Sequence, residues 1–242
     1  MDPGDPNLAV LLADLEQPDK PILRKAVDAL IGIAAKDARI AATLSELLNE
    51  PSRNNRWPVA YILANLPSFP PTCVAVLIET LDHRDPDIRW AVTLLLTRLA
   101  KTDRQVFNLL TELVSKGTAN QRRMAIYSLR DLGLGDEESV RALMDALRDP
   151  DPTVRVAAVT SLRMEPGLSE HRKNKLLRLF SKDQDLRVRN SAAVTLALLG
   201  NPSEEFLSEL EKAKAGDETQ LKKAANAALD ILKNKRSAPS GN

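Results

Sequence analysis

Apolar residues recur at three-, four- and seven-residue intervals in seven stretches: ILRKAVDALI, NNRWPVAYIL, DIRWAVTLLL, NQRRMAIYSL, TVRVAAVTSL, RVRNSAAVTL and TQLKKAANAAL. That spacing lays one stripe along a helix, because residues three and four apart share a face. Each stretch carries a basic residue in one slot: Arg24, Arg56, Arg89, Arg122, Arg155, Arg189 and Lys222. Successive anchors stand 32, 33, 33, 33, 34 and 33 residues apart. Three residues on come Val27, Val59, Val92, Ala125, Ala158, Ala192 and Ala225; seven on come Ile31, Leu63, Leu96, Leu129, Leu162, Leu196 and Leu229. A period of this length marks a repeat architecture.

Four residues before the anchor stand Ser52, Asp85, Thr118, Asp151 and Asp185, residue types that cap helix starts. Pro86 and Pro152 follow at the first helical position, where a missing N–H costs nothing. A second apolar helix precedes each anchor helix (NLAVLLADLE, ARIAATLSELL, TCVAVLIETLD, RQVFNLLTELV, ESVRALMDAL, KNKLLRLF and EFLSELEKA). Gly133 and Gly200 follow anchor helices as stops. No strand pattern is present. A helix pair cannot bury its apolar faces alone, so pairs must stack. The expected fold is all-α, a right-handed solenoid of about seven pairs near residues 7–35, 37–66, 71–100, 104–132, 137–164, 170–200 and 203–233. We expect one domain over 1–233 and a flexible tail over 234–242.

Composition narrows the function. Hydrophobic residues make up 43% of the 242, enough for a core, while aromatics make up only 3%. Leu, Ala, Val and Ile must therefore build the interior. Lys and Arg number 34 against 33 Asp and Glu, a net charge of +1, so only a local patch could attract nucleic acid or an acidic membrane. The single cysteine, Cys73, excludes an internal disulfide framework and a cysteine-based zinc site. No apolar run approaches the roughly 20 residues that span a bilayer. The acidic, turn-rich start MDPGDPN has no signal-peptide character. We expect a cytoplasmic, monomeric protein with no membrane association.

DPTVRVAAVTSL and DPDIRWAVTLLL resemble the Asp-Pro-x-Val-Arg-x-x-Ala-x-x-x-Leu core of HEAT repeats, closest to the short bacterial kind seen in phycobilisome-lyase-type proteins. The resemblance covers nearly the whole chain and is strongest at residues 85–97, 151–162 and 183–200. It implies that the Arg-bearing helix lines the concave side. It also implies an Asp–Arg ladder between neighbouring repeats. Asp149 and Asp183 stand at the family's Asp position, six residues before an anchor, where repeat 3 has His83. HEAT repeats are chiefly binding scaffolds, so the resemblance implies interaction rather than catalysis.

The anchors themselves read as structural: an Arg repeated in this slot bonds carboxylates and carbonyls at helix starts. The aromatic residues point to a site. Trp57 and Trp90 stand one residue after an anchor; Tyr61 and Tyr127 stand five after. Those offsets differ by four and share a helix face. The face continues to Arg130 and Arg163, eight after their anchors. The candidate site is therefore Trp57, Tyr61, Trp90, Leu94, Arg123, Tyr127, Arg130 and Arg163, in repeats 2 to 5. Trp, Tyr and Arg are the residues enriched at binding hot spots. We read the face as exposed and as binding a protein or peptide with acidic groups. The same slots in the end repeats, including Asn190 and Val194, read as ordinary.

No catalytic residue, metal ligand or cofactor is expected. His83 and His171 are too far apart in sequence to pair and read as surface residues, and no Gly-rich phosphate loop, nucleophile elbow or Cys–His arrangement occurs. Nor do the repeated His-Glu pairs of HEAT-type di-iron hydroxylases. Two alternatives stay open. One is nucleic-acid binding of the DNA-glycosylase kind, for which Asp28 and Asp131 are the nearest acids. The other, from the lyase-type resemblance alone, is handling of a tetrapyrrole or bilin.

Overall fold

The computed structural model describes residues 6–50, 55–133, 135, 137–165 and 167–237. These contain fourteen α-helices and no strand. By contact the chain divides into two compact units, Met1–Val106 and Phe107–Asn242. The 33-residue interval from Arg89 to Arg122 runs through that division unchanged.

The first unit holds α1 (Pro6–Asp14), α2 (Lys20–Ala34), α3 (Ala38–Leu48), α4 (Trp57–Leu63), α5 (Thr72–Thr80) and α6 (Pro86–Ala100). Within it α2 packs on α1, α3 and α4, and α5 packs on α4 and α6. The division falls in the first turn of α7 (Arg104–Lys116). The second unit continues with α8 (Ala119–Leu132), α9 (Glu137–Ala146), α10 (Pro152–Leu162), α11 (Glu170–Lys182), α12 (Leu186–Leu199), α13 (Glu204–Ala215) and α14 (Thr219–Ser237). Here the anchor helices form a row, α8 on α10, α10 on α12 and α12 on α14, while α9, α11 and α13 each dock on the anchor helix that follows. Within each unit this is the helix-pair stacking of an all-α solenoid.

The stripe explains the stacking. All seven residues three after the anchors are buried, as are Leu63, Leu96, Leu129, Leu162 and Leu196 seven after. Burying each Leu stabilises by roughly 1.5–3 kcal/mol. The ends are looser: Ile31 and Leu229 are only half-buried. The caps set the helix starts. Backbone N–H groups of Asp87, Thr153 and Arg187 donate to Asp85, Asp151 and Asp185 at 2.9, 2.7 and 2.8 Å. Thr118 and Gln121 form a reciprocal capping box. Gly133 and Gly200 end α8 and α12 at φ +89° and +77°, where a side chain would be strained.

Three features stand apart from the repeating pattern. The cap of α2 is Asp19, one residue earlier than the slot used elsewhere, accepting from Ile22 N–H at 3.0 Å. The first helical turn begins at Trp57, with Arg56 as an uncapped N-cap and Pro58 in the first turn, where proline is tolerated. Ser52 lies outside the described residues. Finally, α14 runs on to Ser237, past residue 233 where the last helix pair was expected to end. Lys235 Nζ, near its end, donates to the Leu198 carbonyl on α12. Residues 238–242 lie outside the described set.

Candidate functional site

The anchor side chains turn toward backbone and carboxylates. Arg122 donates from Nε and Nη2 to Asp149 at 2.6 and 2.7 Å, and from Nη1 to the Gly117 carbonyl at 2.8 Å. Arg155 repeats the arrangement with Asp183 at 2.9 and 2.8 Å and the Asp149 carbonyl at 2.8 Å. Such forks are the strong form of ion pair. The same aspartates take a backbone proton as well: Asp149 Oδ1 accepts from Asp151 N–H and Asp183 Oδ1 from Asp185 N–H, both at 2.8 Å. Arg189 has Gly216 where an Asp would stand; it donates instead to Glu218 and the Phe180 carbonyl, each at 2.9 Å.

His83 takes over the local half of the missing aspartate's work. Its Nδ1 accepts from Asp85 N–H at 3.0 Å, as Asp149 and Asp183 do in their repeats. It cannot act as counter-ion in the same geometry, and Arg56 donates to the Leu48 carbonyl at 3.0 Å. His83 is half-buried against Trp57, ring centroids 6.4 Å apart, so it is not the surface residue expected. His171 is exposed. Arg89 donates to the carbonyls of His83 and Arg84 at 2.6 and 3.1 Å, and its buried Nε has no acceptor among the described residues. Arg24 and Lys222, in the end pairs, are exposed.

In the first unit the aromatic face is not uniform. Trp90 is 40% exposed and Leu94, one turn along α6, is 49% exposed. Trp57 and Tyr61 are half-buried and meet edge to face at 6.4 Å and 82°, the favoured geometry for a ring pair. In the second unit Arg123, Tyr127 and Arg130 are half-buried. Arg130 sits over the Tyr127 ring at 5.0 Å and pairs with Asp131 at 2.7 Å. Arg123 donates to Asn120 at 3.2 Å, and its Nε is buried without an acceptor among the described residues. Arg163 is exposed at the end of α10. The site residues thus fall into two groups, four in each unit. Each group mixes open and half-closed side chains.

With this geometry in place, the sequence comparisons are decisive on family. A model described as HEAT repeats matches residues 40–130, 108–197 and 140–230, which together span most of the chain. The chain is a HEAT-repeat protein. Its Arg–Asp forks lie in the region those matches cover. No match was found among curated protein sequences.

Solved structures share the fold at low identity. The HEAT repeats resemble Kap95p, in a structure where its binding switches the loops of RanGDP, at TM-score 0.63 and 14% identity, covering 98% of this chain and 35% of that one. They resemble the Escherichia coli protein YibA at TM-score 0.56 and 14% identity, covering 95% and 82%. They also resemble phycocyanin lyase, a CpcE–CpcF complex from Nostoc, at TM-score 0.51 and 21% identity, covering 64% and 97%.

Among the described residues no group of three or more His, Cys, Asp and Glu side chains is placed to hold a metal ion. Cys73 is buried in α5, where burial pushes its thiol up to about 12. No helix among the described residues is long and apolar enough to cross a membrane. The reading by residue type missed the α10–α12 groove, where Asn190 and Val194 face Thr160 and Arg163. Asn190 and Val194 occupy the slots of Trp90 and Leu94 in their repeat. Slot position rather than residue size was the usable signal.

Proposed function

We propose that this HEAT-repeat protein is a non-catalytic scaffold that binds a protein or peptide partner on the faces of its anchor helices in repeats 2 to 5. The observation that carries the reading is the pair Trp90 and Leu94, 40% and 49% exposed one turn apart on α6. Large apolar side chains left open on a helix whose other faces are buried mark an interaction surface. In this reading Trp90 and Leu94 are the apolar anchors of the first unit, flanked by Trp57 and Tyr61. In the second unit Tyr127, Arg123, Arg130 and Arg163 supply contact area and donors for acidic groups.

A protein ligand suits these residues better than a nucleic-acid backbone, which needs a row of uncommitted cations. Arg122 is already held by Asp149 and Arg155 by Asp183. The location follows from the reading as cytoplasmic, with a monomer as the working unit.

The test is affinity capture from the native host, using the wild-type chain and two variants, Trp90→Ala/Leu94→Ala and Tyr127→Ala/Arg130→Ala. Loss of a defined set of partners by either variant, with unchanged circular dichroism, supports the reading. Recovery of the same partners in the same amounts by all three overturns it.

A further inference from the structure

A groove of about 260 Å³ lies between α10 and α12, entirely within the second unit, on the anchor-helix face. Thr160 and Arg163 line it from α10; Asn190, Ser191, Val194 and Leu198 line it from α12. It contains no carboxylate. Two other cavities of this unit, of about 410 and 340 Å³, carry their own acids beside their bases: Glu138, Asp145 and Asp149 in one, Glu209, Asp217 and Glu218 in the other.

Two side chains of the groove lack a partner among the described residues. The exposed Arg163 guanidinium forms no ion pair or hydrogen bond with a described residue. Asn190, which lines the groove, is half-buried, and its shielded Oδ1 accepts no hydrogen bond from a described residue. A buried acceptor left unmade is a standing cost that a ligand N–H would remove. Between these polar groups lie Val194 and Leu198, half-buried. The volume is below that of sites for drug-sized molecules and suits one or two side chains.

We propose that this groove binds an acidic residue of a protein or peptide partner. The carboxylate pairs with the Arg163 guanidinium, the fork geometry for which arginine is suited. Rotation of the Asn190 amide presents Oδ1 to a backbone N–H of the same segment, whose aliphatic carbons cover Val194 and Leu198. This rests on the scaffold reading, names the partner's chemistry, and moves the best-built polar contact to repeats 5 and 6.

The test uses fluorescein-labelled hexapeptide pools titrated into the full chain and followed by anisotropy. One pool fixes Asp or Glu at a central position; the other fixes Asn or Gln there. The acidic pool should bind more tightly. Arg163→Gln should weaken it about tenfold to a hundredfold, the size of a charge-assisted hydrogen bond, and leave the amide pool unchanged. Asn190→Leu should weaken both pools, and the Asn190 side-chain amide resonances should shift when the acidic pool is added to wild type. Equal binding of the two pools, no binding by either, or an unchanged Arg163→Gln variant overturns the assignment. The two proposals separate cleanly. Arg163-independent or absent peptide binding, together with partners captured through Trp90 and Leu94, leaves the scaffold reading standing and removes the groove. Arg163-dependent peptide binding, together with capture unchanged by both Trp90→Ala/Leu94→Ala and Tyr127→Ala/Arg130→Ala, removes the proposed face and leaves the groove.

Discussion

Arg155 grips Asp183 through two parallel hydrogen bonds, Nε to Oδ2 at 2.9 Å and Nη2 to Oδ1 at 2.8 Å. The side chains are 14% and 6% exposed, so little water competes for either charge. The pair joins α10 to the start of α12, and Asp183 also holds the Asp185 N–H there.

Removing one partner of so shielded a pair strands the other. Asp183→Ala is expected to cost about 3 kcal/mol, measured by urea denaturation, because Arg155 then keeps its carbonyl bond but loses its counter-ion. Arg189 and Glu218 occupy the corresponding place one repeat on, but Glu218 is 58% exposed. Glu218→Ala should cost less than about 1 kcal/mol. Equal losses for the two variants would show that the ladder's shielding is not what gives it value.

The two tryptophans should report different surroundings. Trp90 is open while Trp57 packs against Tyr61 and His83. With Trp57→Phe, the remaining Trp90 should emit further to the red and be quenched readily by acrylamide. With Trp90→Phe, the remaining Trp57 should emit to the blue and be quenched less. A blue-shifted, protected Trp90 removes the exposed apolar pair from which the binding face is argued.

What the sequence made legible was everything the period repeats. Helix identity, the stripe, the aspartate caps and the Arg slot recur every 33 residues or so, and each copy reinforces the rest. The partners of Arg122 and Arg155 were implied by the resemblance to HEAT repeats, whose aspartate position Asp149 and Asp183 occupy. What failed was specific to one copy. His83 keeps the backbone half of an aspartate's role while losing its charge, which residue type alone does not suggest. Whether a tryptophan is open depends on the neighbouring helix, so Trp57 and Trp90 share a slot and differ in burial. Asn190 looked ordinary because nothing in its identity announces an acceptor without a donor.

Cys73 should be chemically silent in the folded protein. It is fully buried in α5, and burial holds its thiol up at about 12, well above the ordinary cysteine value. At neutral pH an aromatic disulfide reagent should titrate no thiol in the native state and one per chain in urea. Rapid native-state reaction would mean that α5 opens readily, and that the first unit is looser than its packing implies.

Acid should weaken the second unit through its caps. The Asp185 carboxyl is held at about 2, first by the Arg187 guanidinium and then by the backbone N–H groups of Arg187 and Val188. Asp151 is held low by the Thr153 hydroxyl and the N–H groups behind it. In the unfolded chain such groups titrate near 3.9. Folded values below unfolded ones mean that the unfolded chain binds protons first as pH falls. The stabilisation is therefore complete above about pH 4 and disappears toward about pH 2. Asp185→Asn keeps an acceptor oxygen at the cap but removes the charge, so its urea midpoint should fall less steeply than wild type across that window. Thr118→Ala removes a cap that does not titrate; it should lower stability by about 1 kcal/mol at neutral pH and leave the acid slope unchanged. If Asp185→Asn follows the wild-type slope, its carboxylate does not set the acid limit, and another group must.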